Sequence, residues 1–271
     1  MAFLALGPGH GLAYSYRPPR DGGLTFVFVN ALTSDMAGWR AEVVPALEAE
    51  GQGILLYALR GQEGSPAADE DRLDDALMGD DLKALLKAVG PPRPVLVGLS
   101  IGGLFALRAV LAGAEVAGLV LLNTLRRPST RLAWINEAVC RAQAFGGPGL
   151  MRDLLMPMIA GPAMLEAARP GALAETAYEP LPADSPVLRL LRDACHADWD
   201  LPYEEVTPAV LVVSGLRDRV FYDADDVAAL TARLPDARSV TLPEVGHLIP
   251  MEAGAETARL LLDFATEIAG P

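Results

Sequence analysis

Ser100 sits in Gly98-Leu99-Ser100-Ile101-Gly102, inside the stretch PVLVGLSIGGLFALRAVLAG that runs from Pro94 to Gly113. An apolar strand-like run enters this pentad and an apolar helix-like run leaves it. Glycines on either side let neighbouring backbone pass closely, and a sharp turn between them lifts the hydroxyl clear of a sheet, beside helix N–H groups. A plain strand-to-helix turn is the bland alternative, and it needs no hydroxyl. A serine attacks only when a base takes its proton, so a partner has to be found elsewhere in the chain. There are three histidines. His10, in GPGHG, reads as a turn residue. His196 follows Cys195 in a helical stretch and reads as solvated. His247, in LPEVGHLIPMEAGAE, lies between the last strand-like run and the last helical one, at the carboxyl end of a strand, where open parallel sheets bind ligands. It is the candidate base. A base of this kind needs a carboxylate to hold its tautomer. Asp218, in VVSGLRDRVFYDADD, follows the preceding strand-like run. Asp223, Asp225 and Asp226 compete with it, but they read as the acidic opening of a helix. The order Ser, Asp, His is the one associated with this kind of elbow.

These side chains meet only if particular elements bring them to one edge. GLTFVFVN (23–30), GQGILLYAL (51–59), RPVLVGLS (93–100), VAGLVLLNT (116–124), PAVLVVSG (208–215) and ARSVTLPE (237–244) are near-continuous apolar runs, as expected of strands buried on both faces. Helix-period segments alternate with them at 39–50, 82–89, 103–111, 224–234 and 256–268. That alternation predicts an α/β fold, a mostly parallel sheet with helices on both faces. LAYSYR (12–17) alternates and reads as an antiparallel strand at one edge. Residues 125–205 hold no convincing strand and read as a helical cap insertion. The expected organisation is therefore a core of 1–124 and 206–271 with a cap of 125–205. The cluster AADEDRLDDALMGDDL (67–82) reads as a solvated loop and helix start. Trp39 is expected to pack at the base of the first helix.

Composition narrows the partners. The formal net charge is −13 and 51% of residues are hydrophobic. That supports a sizeable core, while an acidic surface repels phosphate backbones and anionic lipid heads. Nucleic acid and membrane partners are not expected. The N-terminus lacks the basic start of a signal peptide, and no uncharged run reaches the ~18–20 residues of a membrane span. Two cysteines, Cys140 and Cys195, make no disulfide framework and fit a reducing compartment. A cytoplasmic protein is the expectation. No zinc spacing, H-E-x-x-H motif or phosphate loop is present, so no metal and no cofactor are expected.

GLSIGG, GLRD and VGHLIPMEAGAE, with VFVNALTSDMAGW and ALRGQEGS, resemble the α/β-hydrolase fold superfamily, in particular its small esterases and 3-oxoadipate enol-lactonases. The likeness runs from about residue 12 to 268. It implies a Ser100–Asp218–His247 triad, a covalent acyl-enzyme and hydrolysis by water. It also implies an oxyanion hole made by the backbone N–H groups of Leu32 and Ile101. Many relatives carry His-Gly after the first core strand. Here Asn30-Ala31-Leu32 stands in its place, and this Asn-x-Leu form resembles the enol-lactonase branch. Ala58 and Glu63 depart from the family pattern in ALRGQEGS, a stretch read as structural. Serine at position 100 argues against haloalkane dehalogenases and epoxide hydrolases, which use aspartate there.

Candidate pocket residues in the insertion and nearby are Trp134, Phe145, Met151, Met156, Met158, Trp199 and Phe221. Arg126 and Arg127 read as a solvated pair at the cap hinge, with a substrate carboxylate as the alternative ligand for one of them. The expected activity is a serine carboxylic ester hydrolase acting on a small, largely apolar ester. A lactonase is the alternative, and a lyase or a ligand receptor on the same fold is a third reading. The partner is then a small ester or lactone, with a homo-oligomer left open.

Overall fold

The apolar runs assemble into one eight-stranded sheet in a computed structural model that describes residues 1–174 and 177–269. In chain order the elements are β1 (Ala2–Gly7), β2 (His10–Arg17), β3 (Thr25–Val29), α1 (Ala37–Arg40), α2 (Val43–Ala49), β4 (Gly53–Tyr57), α3 (Asp75–Val89), β5 (Pro94–Leu99), α4 (Ile101–Leu111), β6 (Gly118–Leu122), α5 (Thr130–Ile159), α6 (Pro162–Ala168), α7 (Pro186–Ala194), β7 (Val210–Gly215), α8 (Ala224–Thr231), β8 (Ala237–Leu242), α9 (Ile249–Glu252) and α10 (Gly254–Ala269).

The strand order is β1-β2-β4-β3-β5-β6-β7-β8. From β4 to β8 all neighbours are parallel, while β1–β2 and β2–β4 are antiparallel. The edge therefore belongs to β1, and Leu12–Arg17 is one strand further in than its alternation suggested. AFLALG carries little burial signal, since Phe3 is 52% exposed.

The strands are continuously apolar because each of their faces has its own cover. Val27, Val29, Leu96, Leu119 and Leu121 point into a core shared with α3 and α4. Phe26, Phe28, Val95, Val97, Val120 and Leu122 point into a second core shared with α2 and α10. Trp39 is buried in the second core, against Phe28 at a ring-centroid distance of 4.7 Å.

Two features place the site. First, β3 has β4 on one side and β5 on the other, so the sheet changes direction of winding between β3 and β5. The loops after these two strands flank a crevice at the carboxyl edge. Second, the described residues between β6 and β7 supply helices α5, α6 and α7 and no strand. Helix α5 is broken at Gly147, where φ is 61° and a Cβ would lie 2.1 Å from the Glu179 carbonyl oxygen.

The acidic cluster at 67–82 is less solvated than its composition suggested. Asp74 caps α3 by accepting from the Leu77 N–H. Arg60, 4% exposed, is held between Asp71 and Asp81, and Asp75 takes Arg108. Local charge density shows where carboxylates are; it does not reveal distant arginines that pull them inward.

Candidate active site

Ser100 occupies the turn between β5 and α4 with φ 56° and ψ −125°, a backbone conformation that costs a non-glycine residue energy and persists only when its surroundings enforce it. The enforcement comes from contact. A Cβ on Gly98 would lie 2.4 Å from Gly103 Cα, and one on Gly102 would lie 2.3 Å from the Val29 carbonyl oxygen. Close approach of helix, turn and neighbouring strand is therefore possible only with glycine at these positions. The Ser100 N–H is tied to the Leu122 carbonyl of β6 at 2.8 Å.

Asp218 and His247 meet at the same edge, from the loops after β7 and β8. His247 Nδ1 lies 2.5 Å from Asp218 Oδ2, and the two residues are 5% and 2% exposed. The other carboxylate oxygen accepts from the N–H groups of Val220 and Phe221 at 3.0 and 2.9 Å. Burial alone would raise the Asp218 pKa. The bond to His247 and these backbone donors overcome it and hold the carboxyl below its ordinary value. Asp223 instead caps α8, accepting from Asp225 and Asp226 N–H groups. His10 opens β2, and His196 is exposed beyond α7.

Ser100 Oγ is hydrogen-bonded to Arg126, whose Nη2 donates to it at 3.0 Å. No hydrogen bond joins Ser100 to His247; the hydroxyl is paired with Arg126 instead.

The position of Leu32 depends on a residue that the sequence did not single out. Gln62 Nε2 donates to the carbonyls of Ala31, Leu32 and Ser34 at 3.0, 3.2 and 3.0 Å. Its Oε1 accepts from Asn30 Nδ2 and the Leu59 N–H. Asn30 in turn accepts from Trp39 Nε1 at 2.9 Å. With its carbonyls turned toward Gln62, the loop leaves the Leu32 N–H with no acceptor among the described residues, and Ile101, opening α4, has no intrahelical acceptor either. Both are donors waiting for a partner. Gln62→Ala is expected to lower kcat by roughly 10- to 100-fold on any substrate turned over at this site, with a smaller change in KM. Steady-state kinetics checks this, and an unchanged kcat would remove Gln62 from the site.

Two further residues hold the histidine loop. Asn123, with φ 47°, donates to the Gly246 and His247 carbonyls and accepts from the Gly215 N–H. Glu252 accepts from the N–H groups of Gly161, Gly246 and Leu248. An asparagine at a strand end was the one visible hint. Where its amide reaches is a matter of tertiary structure.

A cavity of about 450 Å³ opens over Ser100 and His247. Met151, Met156, Trp199 and Phe221 line it. Trp134 and Phe145 do not. They are 76% and 78% exposed on α5. The inward face of that helix is Asn136, Val139, Cys140 and Gln143, spaced three and four apart, so residues 134 and 145 lie off that stripe. Met158 is 42% exposed and also outside the lining. Cys140 and Cys195 line the cavity together and are joined as a disulfide, which corrects the expectation of unpaired thiols. Their 55-residue separation carries no local spacing pattern.

The two adjacent arginines divide. Arg127 is half-exposed near Asp226. Arg126 is 6% exposed and lines the cavity, its guanidinium carbon 4.5 Å from the Trp199 ring centroid and 4.8 Å from that of Phe221. It is therefore not the solvated hinge residue the sequence suggested. Among the described residues no group of three or more His, Cys, Asp or Glu side chains could hold a metal ion, and no helix is long and apolar enough to cross a membrane.

Comparison with known proteins places this geometry among relatives. A family model described as "Alpha/beta hydrolase family" matches residues 26–260. The curated "Putative carbamate hydrolase RutD" of Variovorax paradoxus is 28% identical over 268 residues, covering 96% of this chain and 98% of its own. A thermophilic esterase from Thermogutta terrifontis superposes with a TM-score of 0.76 at 21% identity, over 98% of this chain and 97% of that one. The enol-lactonase from Burkholderia xenovorans LB400 gives a TM-score of 0.76 at 22% identity, over 98% and 100% of the two chains. At such identities the structural likeness speaks for the fold.

Proposed function

Because the chain belongs to the alpha/beta hydrolase family, we propose that it hydrolyses small carboxylic esters through an acyl-enzyme on Ser100. The observation that carries this reading is the buried Asp218–His247 pair at the strand edge that also presents Ser100, under one cavity. In the reaction, Ser100 Oγ turns from Arg126 to His247 and gives its proton to Nε2 as it attacks the carbonyl carbon. The carbonyl oxygen gains the negative charge and is received by the Leu32 and Ile101 N–H groups. Collapse of the tetrahedral intermediate breaks the bond to the leaving alkoxide, which takes the proton from His247. Water then gives a proton to His247, attacks the acyl carbon and releases the acid, and Ser100 recovers its proton. Asp218 stays ionised throughout and stabilises the imidazolium.

The same sequence of bonds opens a lactone, where the leaving oxygen remains on the acyl chain, or cleaves a carbamate, the group named for the Variovorax relative. The Asn30-Ala31-Leu32 turn favours the lactone as second reading. Treatment with a fluorophosphonate, followed by peptide mass analysis, is expected to modify Ser100 alone among the serines. A panel of ethyl esters, lactones and carbamates with product identification then separates the substrates. An unlabelled Ser100, or a panel in which nothing is hydrolysed, removes the proposal.

A further inference from the structure

Among the described residues two arginines are buried, Arg60 and Arg126, and they differ in one respect. Arg60 is compensated by two carboxylates, Asp71 and Asp81. That is how a buried guanidinium is held for structural purposes, since an unpaired charge away from water is costly. Arg126 is as deeply placed, yet no carboxylate lies within ion-pair distance of it among the described residues. Its Nε donates to the Thr124 carbonyl, and its Nη2 donates to the Asn123 carbonyl and to Ser100 Oγ. The two Nη1 hydrogens have no protein acceptor among the described residues. Two aromatic rings, Trp199 and Phe221, lie against the group. Asp218, whose charge acts on it, is committed to His247. Burial pushes the guanidinium down to about 10, so it remains a cation at neutral pH. The result is a rigid cation with open donors, in the cavity wall, in contact with the nucleophile's hydroxyl.

We infer that Arg126 is a specificity-determining residue that receives a substrate carboxylate carried one to three carbons from the scissile ester bond. This rests on Ser100 being the nucleophile. The spacing follows from contact distances. A carboxylate oxygen sits ~2.8 Å from a guanidinium nitrogen, the reacting carbon sits ~3–3.5 Å from the attacking oxygen, and Nη2, whose hydrogen bond to Oγ is released when Oγ turns to His247, lies 3.0 Å from Oγ. With both substrate groups on the cavity side, carboxylate and carbonyl are roughly 3–6 Å apart, the span of a short half-ester or an acyloxy acid. The rest of the cavity is mainly apolar in its lining and takes the uncharged remainder. The expected substrate is thus an anionic short ester, rather than the small, largely apolar one that the sequence suggested.

The test compares each anionic ester with its uncharged amide. Monoethyl succinate against ethyl succinamate probes a carboxylate on the acyl side, and acetoxyacetate against acetoxyacetamide probes the alcohol side. In the wild type at least one ratio of kcat/KM is expected to exceed roughly 10, and Arg126→Met is expected to bring that ratio close to unity. Two wild-type ratios near unity, or a ratio that survives in Arg126→Met, overturn the inference. If Arg126→Met does not fold, Arg126→Lys replaces it. It keeps the charge without the planar fork, and the ratio should fall at least about threefold, while an unchanged ratio counts against the assignment. Succinate and succinamide binding to the wild type, measured by calorimetry, reads the subsite without turnover. Succinate is expected to bind at least about tenfold more tightly, and equal binding overturns the inference. Failure to hydrolyse any ester in the panel would instead strike at the role of Ser100, leaving the calorimetric result to decide on Arg126.

Discussion

Replacing Ser100 by alanine is expected to lower kcat on the preferred ester by roughly 10⁴- to 10⁶-fold, the largest effect of any single change in this chain. The argument is one of bond formation. On the proposed mechanism, removal of Oγ leaves no atom to form the acyl-enzyme, and the Leu32 and Ile101 N–H groups can only assist direct attack by water. Those donors and the binding cavity are why some rate should remain above the uncatalysed reaction. The substitution also probes the turn. Ser100 holds φ 56° through the packing of Gly98, Gly102 and Gly103, and alanine meets the same backbone strain, so fold and thermal stability should change little. The check is a pair of measurements: kinetics with active-site titration, and thermal unfolding of both proteins. An alanine variant with more than about a tenth of wild-type kcat would rule out a Ser100 nucleophile.

Asp218→Asn is expected to cost roughly 10⁴-fold in kcat, with the nucleophile still in place. An amide cannot stabilise the imidazolium by charge, and presented through its NH₂ group it favours the wrong histidine tautomer. A stability signature accompanies the kinetic one. The Asp218 carboxyl is buried, which raises its pKa, but the His247 bond and the Val220 and Phe221 N–H groups hold it below the ordinary carboxylate value. A depressed folded-state pKa stabilises the fold at pH above the unfolded value, and this contribution is lost as pH falls through the folded one. The stability difference between wild type and Asp218→Asn should therefore be constant at neutral pH and shrink on acidification below the ordinary carboxylate range. Urea unfolding across pH provides the measurement. A difference that grows on acidification would contradict the assigned sign.

Much of this architecture is written in local patterns. Six near-continuous Val, Leu and Ile runs alternate with helical segments, and they announce a parallel sheet covered on both sides because each run must fill two cores at once. The Gly-x-Ser-x-Gly turn is legible for a related reason. Its glycines meet close contacts from elements immediately adjacent in sequence or paired in the sheet. Asp218 and His247 could be proposed from their places after strand-like runs, since parallel strands all end at one edge. What local pattern cannot carry is the reach of a side chain across the fold. Gln62 looked like part of a structural loop, but its amide holds three carbonyls of the 31–34 turn. Trp134 and Phe145 looked like pocket walls because they are aromatic, but helical phase turned them outward.

The sequence by itself thus determined the parallel strands of the sheet, the turn that holds Ser100 and the edge at which Asp218 and His247 stand, because hydrophobic period and glycine sterics act over a few residues; the edge strand β1 emerged only in the fold. Only the tertiary structure decided the fates of Arg126 and Arg127, adjacent and chemically identical. One turns to solvent near Asp226. The other is packed by Trp199 and Phe221, which arrive from 73 and 95 residues away, and lies against the serine hydroxyl. Burial and charge compensation are set by what packs around a group, and for Arg126 that environment exists only once the distant segments have come together.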